Sequence, residues 1–331
     1  MRLFARLCAF LSVAFVLFHF QNASAQEKIS GPYTHDNLSI YLIHGPDKLP
    51  GKNFMTLGEA LKTGKVIVHE TGNVNQLAIE NLSKNDIYIQ SGDIVKGGKQ
   101  DRVISLDFIL KPDSGKVPID AFCVEQSRWH PRGNEEAGRF NDSSHQLASK
   151  ELKLAAKKSR NQGEVWGQVA ATQEKLKNNL KADVRSEVSA TSLELSLSNS
   201  KLNATADAYT KTLAALVQQN PDAIGYVFAI NGKLNSADVY LSHNLFAKLW
   251  PKLLKSNAVE AISELNAPKS PGLPKVAEVQ TFLAQAQAAP AQTQAIAKGL
   301  DMKTAEDDKR VYFETFDKEQ NTWVHRNYMM K

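Results

Sequence analysis

Cysteine is nearly absent, with only Cys8 and Cys123 in 331 residues. So few cysteines cannot support a disulfide framework, and the fold has to rest on core burial. One-sided charge is absent too: 40 Lys and Arg face 35 Asp and Glu, for a formal net charge of +5. That near-balance provides no long-range field for a nucleic-acid groove. Nucleotide-binding and hydrolase signatures are missing as well, since the chain contains no G-x-x-x-x-G-K-[ST] loop, no H-E-x-x-H helix and no G-x-S-x-G elbow. There is no internal repeat of fixed period. Apolar residues make up 42% and charged residues 23%, figures that exclude a disordered tail and a multi-span membrane protein.

The first 25 residues read as an export signal. Arg2 and Arg6 precede an almost wholly apolar run from Leu7 to Phe20, and Ala23-Ser24-Ala25 supplies the small residues of a cleavage site. The run is short for a span of ~20 residues, and the Ala-x-Ala ending argues against the rival reading of an uncleaved anchor. Cys8 lies inside the run, badly placed to carry a lipid. Cleavage after Ala25 is therefore expected, giving a periplasmic or secreted protein with no stable membrane span. Losing Arg2 and Arg6 leaves 38 basic residues against 35 acidic ones, with Cys123 alone.

The mature chain divides into two unlike halves, and the fold class expected is α+β. Residues 26–135 form an antiparallel, sandwich-like domain, with β-rich runs at Leu38–Ile43, Val66–His69, Gln76–Glu80, Asp86–Val95, Arg102–Leu110 and Val117–Glu125. Residues 136–331 form a helix-rich α+β domain. Val165, Val169, Thr172 and Leu176 share a helical face, Ala206 to Val217 is a second helix, and Asn220-Pro221 stops it. Two β-rich runs joined by Asn231-Gly232 predict a hairpin over 224–241 with a type I′ turn. Leu245 to Leu265 returns to helical spacing around Pro251, and Pro268, Pro271 and Pro274 mark a linker. Gln280 to Ala297 reads as helical with an interruption near Pro290, and 310–329 as a second hairpin.

Two segments carry most of the candidate chemistry. In the first, Gly97-Gly98 permits a sharp turn with exposed N–H groups, while Lys96, Lys99 and Arg102 add positive charge around Gln100 and Asp101. Such a loop suits an anion, and the competing reading is a glycine turn with solvated lysines. In the second, Cys123 and Glu125 share one face of a strand that leads to Arg128 and Trp129. Arg128 offers a fork for carboxylate or phosphate and Trp129 a plate for stacking. A thiol nucleophile built from Cys123 and His130 is conceivable, but a buried cysteine is the simpler reading, as is a structural ion pair for Glu125 and Arg128. No metal is expected, because no histidine stands in a ligating spacing. Trp166, Trp250 and Trp323 read as core residues, and the mixed charges of Lys150 to Lys181 read as a solvated helix surface.

Taken together these stretches resemble one family. Gly92 to Arg102, Val117 to Trp129, Glu164-Val165-Trp166, the Gly225 to Asp238 hairpin and Phe246 to Leu254 are similar to the ADP-ribosylglycohydrolase and rhodanese-phosphatase superfamily-associated protein domain, first family. The resemblance implies an association with nucleotide- or ADP-ribose-linked metabolism and no particular reaction. It also leads one to expect glycine where Ser127 stands.

The leading expectation is a binding module for a small anionic ligand, with Gly97, Gly98, Lys99, Gln100, Asp101, Arg102, Glu125, Arg128 and Trp129 lining one recess. It needs no cofactor. The alternatives are a hydrolase or transferase on a phosphate- or ADP-ribose-bearing substrate, with Glu125 or Asp101 as base, and a structural or partner-binding envelope protein. All three turn on whether the two segments meet in space.

Overall fold

The structure is a computed structural model that describes residues 27–146, 149–297 and 299–331. The export-signal reading falls outside the described residues. In chain order, β1 (Lys28–His35), β2 (Leu38–His44) and β3 (Met55–Thr56) lead to α1 (Leu57–Lys62). Seven short to medium strands follow, β4 (Val66–Asn73), β5 (Gln76–Asn81), β6 (Ile87–Ile89), β7 (Asp93–Gly97), β8 (Arg102–Ile104), β9 (Phe108–Leu110) and β10 (Lys116–Cys123). After β11 (Phe140–Gln146) come α2 (Lys150–Leu154), a π turn at Ala155–Ser159, α3 (Gln162–Leu180), α4 (Leu193–Leu197), α5 (Ser200–Leu213) and α6 (Leu216–Gln219). The remainder is β12 (Ala223–Ile230), β13 (Lys233–Tyr240), α7 (His243–Ser263), α8 (Val276–Ala288), β14 (Ala291–Ala297), β15 (Leu300–Glu306), β16 (Arg310–Asp317) and β17 (Thr322–Met330).

The fold is α+β and almost wholly antiparallel. One sheet of eight strands has the order β1-β2-β12-β13-β17-β16-β15-β14, a second has β11-β7-β8-β10-β5-β4, and a third has β3-β6-β9. β2, Leu-Ser-Ile-Tyr-Leu-Ile-His, is buried at every position, as befits a central strand covered on both faces. Lying before residue 135, it pairs with β12 from Ala223 to Ile230, so the large sheet draws on both sides of that position. The main core joins this sheet to α3, α5, α7 and α8, while a second core fills the smaller sheets.

The Asn231-Gly232 turn has φ of 54° and 73° at its two central residues, the type I′ geometry expected of it. Linker Gly272 presses on it so closely that a Cβ on Gly232 would lie 2.4 Å from the Gly272 carbonyl oxygen. Helix α7 starts at Ser242, whose hydroxyl accepts from the Leu245 N–H, and Pro251 is accommodated inside it.

Three expectations change. The helical reading of Gln280 to Ala297 holds only to Ala288, and residues 291–297 form β14 instead. Pro290 lacks the N–H that a helix needs and pushes the preceding Ala289 to an extended ψ of 157°, so the chain leaves the helix and pairs with β15. The runs Asp86–Val95 and Arg102–Leu110 each break into two strands, the first at Gly92, whose φ is 92°, and the second at the buried residues Ser105 to Asp107. β11, early in the second half, pairs with β7 of the first.

The second break serves a buried charge network. His325 on β17 is 3.1 Å from Asp107 through Nδ1 and 3.1 Å from Asp238 on β13 through Nε2. The Lys157 ammonium donates to Asp107 at 2.6 Å, and Asn327 donates to Asp238 at 2.7 Å. Burial opposes the imidazolium, but Asp107 and then Asp238 outweigh it and raise the His325 pKa. A carboxylate from the β8–β9 break and one from β13 are thus held by one ring that stacks 4.7 Å from Tyr240.

Because its folded pKa is raised, His325 contributes stability that is fully present below the unfolded value of 6.5 and lost as pH climbs through the folded value. His325→Gln is expected to cost about 3–5 kcal/mol near pH 6, since two buried carboxylates lose a partner. Urea unfolding of both proteins should show the gap narrowing at alkaline pH. A gap unchanged from pH 6 to pH 10 would mean that the ring is neutral in the fold.

Candidate functional site

The glycine loop is built by close packing. Gly97 and Gly98 have φ of 114° and 53°, and a Cβ on Gly98 would lie 2.4 Å from the Phe140 ring. β11 therefore sits against the loop, and the Gly98 N–H donates to Arg139 O at 3.1 Å. The other donors are spent as well. Gly97 N–H donates to Asp101 Oδ1 at 3.1 Å, Lys99 N–H to Glu70 Oε2 at 3.4 Å, and Asp101 N–H to Glu125 Oε2 at 3.3 Å. The N–H groups expected to face a ligand are thus engaged within the protein. The loop does cradle anions, but they are its own carboxylates.

The two segments meet. The Gln100 amide donates to Glu125 O at 2.9 Å and Val124 N–H to Asp101 O at 3.0 Å, so the loop lies along the end of β10. Asp101, with no exposed surface, accepts five hydrogen bonds: from Gly97 N–H, Arg128 Nη2, both terminal nitrogens of Arg132, and Ser192 Oγ. Arg128 also donates to Glu125 Oε2 at 2.7 Å and to His130 O at 2.6 Å. Arg132 donates to Glu135 Oε1 at 2.8 Å and lies 3.8 Å from Glu194. Burial works against the Arg132 charge, yet Asp101 and Glu135 raise its pKa further. Burial, with Asp101 nearby, likewise raises Glu194.

Arg102 is wholly buried, donating from Nη1 to Cys123 Sγ at 2.8 Å and to Gln100 Oε1 at 3.3 Å, with Nη2 3.5 Å from Glu70. Neither Arg102 nor Arg128 is thus available as a free cation. Burial pushes the Cys123 thiol up to about 11, with Arg102 pulling the other way. The polar partners of its sulfur are Arg102, Gln100 and Val74 O, with no His130 among them, and a thiol so protonated is no nucleophile at neutral pH. Asp101 and Glu125 fare no better as bases. Both are completely buried, Asp101 has its oxygens filled, and Arg128 is clamped onto Glu125.

What reaches solvent is Trp129, 43% exposed, with exposed Gln126, Ser127 and His130 beside it. The Lys99 ammonium lies 4.9 Å from the indole centre and the buried Arg102 guanidinium 5.6 Å. Ser127 has φ of 72°, the left-handed conformation that glycine would adopt without strain. Of the nine residues singled out in the sequence, Lys99 and Trp129 thus form the accessible rim. Gly97, Gly98, Gln100, Asp101, Arg102, Glu125 and Arg128 form its foundation. Arg132, Glu135, Ser192 and Glu194 were not anticipated. Arg132 recurs four residues after Arg128 and was legible as a second fork, but nothing local to Ser192 or Glu194 ties them to Asp101. Among the described residues, no group of three or more His, Cys, Asp and Glu side chains is arranged to hold a metal ion.

Comparison with known proteins adds one match. The family described as ARG and Rhodanese-Phosphatase-superfamily-associated Protein domain matches residues 26–329. No curated protein and no solved structure matches the chain.

Three outcomes follow from this geometry. Asp101→Asn should lose about 3–5 kcal/mol of unfolding free energy, because two buried guanidiniums lose their counter-charge. Ser127→Gly should gain about 1 kcal/mol by relieving the left-handed backbone, and a loss of stability in the same denaturant titration would contradict that assignment. Cys123 should resist a disulfide reagent at pH 8 until the protein is unfolded; labelling of the native protein within seconds would overturn the account of its thiol.

Proposed function

We propose, from the premise that the chain belongs to the ARG and Rhodanese-Phosphatase-superfamily-associated Protein domain family, that it is an exported binding protein for a small anionic ligand with a flat ring, of nucleotide type. The observation that carries this reading is the half-exposed Trp129 indole with the Lys99 ammonium 4.9 Å from its centre. An exposed aromatic plate beside a partly exposed cation suits a base or other ring for stacking and a phosphate for charge. The buried ion pairs beneath are supports. They hold the end of β10 and the Gly97-Gly98 loop in one geometry, which lowers the ordering cost of binding. The family's name speaks of ADP-ribosylglycohydrolase company, and ADP-ribose carries both features that the rim suits. Binding is favoured over hydrolysis because Asp101 and Glu125 are both completely buried, out of reach of a substrate. Export is supported by the family match starting at residue 26, beside the expected cleavage after Ala25.

Calorimetric titration with ADP-ribose, AMP and inorganic phosphate tests the reading. ADP-ribose should bind more tightly than phosphate. Trp129→Ala should weaken it by about tenfold or more, the scale of one stacked ring, and Lys99→Ala should weaken it less while flattening its salt dependence. Absence of heat with all three ligands, or equal affinity in both variants and the parent, would sink the proposal. Export is checked separately, by sequencing the N-terminus of the protein recovered after expression in a bacterium, which should begin at Gln26.

A further inference from the structure

A second site, unrelated to the Trp129 rim, lies beneath the Asn231-Gly232 turn. A half-open cavity of about 190 Å³ is lined there by the hairpin, the last turns of α7 and the start of α2. Two of the residues that line it each carry a buried acceptor without a donor, Glu260 Oε2 and Asn231 Oδ1. Their residues are only 2% and 6% exposed. Neither side chain is free to turn away. Glu260 Oε1 accepts from Asn235 Nδ2 at 2.8 Å and from Lys150 N–H at 3.1 Å, and Asn231 Nδ2 donates to Glu264 O at 2.7 Å. The Asn231 backbone is pinned too, its N–H to Asn37 O at 2.9 Å and its carbonyl by Ser270 N–H at 2.7 Å.

A buried oxygen without a donor is destabilising, and native structures seldom leave two in one cavity. Lys150, Lys175 and Lys233 also line the cavity, yet none of them bonds to either oxygen. We infer that it binds a small organic cation bearing N–H groups, a primary ammonium or a guanidinium, that donates to Glu260 Oε2 and Asn231 Oδ1. Two features select a cation over a neutral donor. Glu260 is an acid with no ion-pair partner within 4 Å among the described residues, whereas the neighbouring Lys175 is already held by Glu264 at 2.6 Å and Lys150 lies 3.9 Å from Glu151. Helix α7, 21 residues long, ends at Ser263, between the lining residues Glu260 and Glu264, so the negative end of its dipole lies beside the cavity. Burial raises the Glu260 pKa against the pull of Lys153, and a bound cation would add to that pull. Ile230 and Leu234 offer an apolar surface for a short carbon chain.

The probe is propylammonium, and tetramethylammonium, equal in charge but without N–H, is its control. In a thermal-shift titration of the purified protein, propylammonium should raise Tm in a saturable way and tetramethylammonium should not. Glu260→Gln should weaken propylammonium by about tenfold or more, the scale of a charge-assisted hydrogen bond. Asn231→Gly keeps the positive φ of the turn, removes Oδ1 and should weaken binding by a few fold. Lys99→Ala should leave it unchanged. Equal shifts from the two cations, no shift from propylammonium in the tens of millimolar, or unaltered binding in both Glu260→Gln and Asn231→Gly would each overturn the inference.

Discussion

A carboxylate without exposed surface has to be repaid in full by donors, and Asp101 is the residue on which this requirement falls most heavily. Its five hydrogen bonds come from Gly97 in the glycine loop, Arg128 and Arg132 in the segment after β10, and Ser192 at the start of α4. Satisfying one side chain thus locks three stretches of chain together. Removing a partner from such a set costs more than the set contributes net, because what remains is an uncompensated charge. The candidate site inherits its rigidity from that asymmetry.

The same logic explains why charge and function separate here. Arg102 and Arg128 look in the sequence like ligand-binding cations, yet Arg128 is held by Glu125 and Asp101, and Arg102 is wholly buried against Cys123 and Gln100 with Glu70 3.5 Å away. Arginine suits this task, since a planar fork loses little freedom on binding a carboxylate. Lys99, by contrast, remains beside the exposed indole. A second buried network, Asp107 with His325 and Asp238, does for the sheets what Asp101 does for the site, holding the small sheet's loop against β13 and β17.

Much of the fold was legible wherever a local rule decides. Asn231-Gly232 could only be a tight hairpin turn, since its two positive φ values suit few other residue pairs. Pro221 follows the end of α6 at Gln219, and the Val165, Val169, Leu176 stripe is the buried face of α3. The misreading of residues 291–297 shows where such rules fail. Ala and Gln favour helix in isolation, but Pro290 and the open edge of β15 favoured a strand. For the candidate site, the convergence of the loop with the end of β10 could be guessed from residue types. The direction of each side chain could not.

By itself the sequence determined what depends on a few neighbouring residues: the turns, the helix stops, the glycine loop, and the presence of two charged segments. Only the tertiary structure decided which of those charges face water. Asp101 and Ser192 are 91 residues apart, and their bond follows from packing that no local pattern encodes. Burial then determines the use of a charge, because an ion taken out of water must spend its hydrogen bonds on its own protein, and only an ion left at the rim can offer them to a ligand.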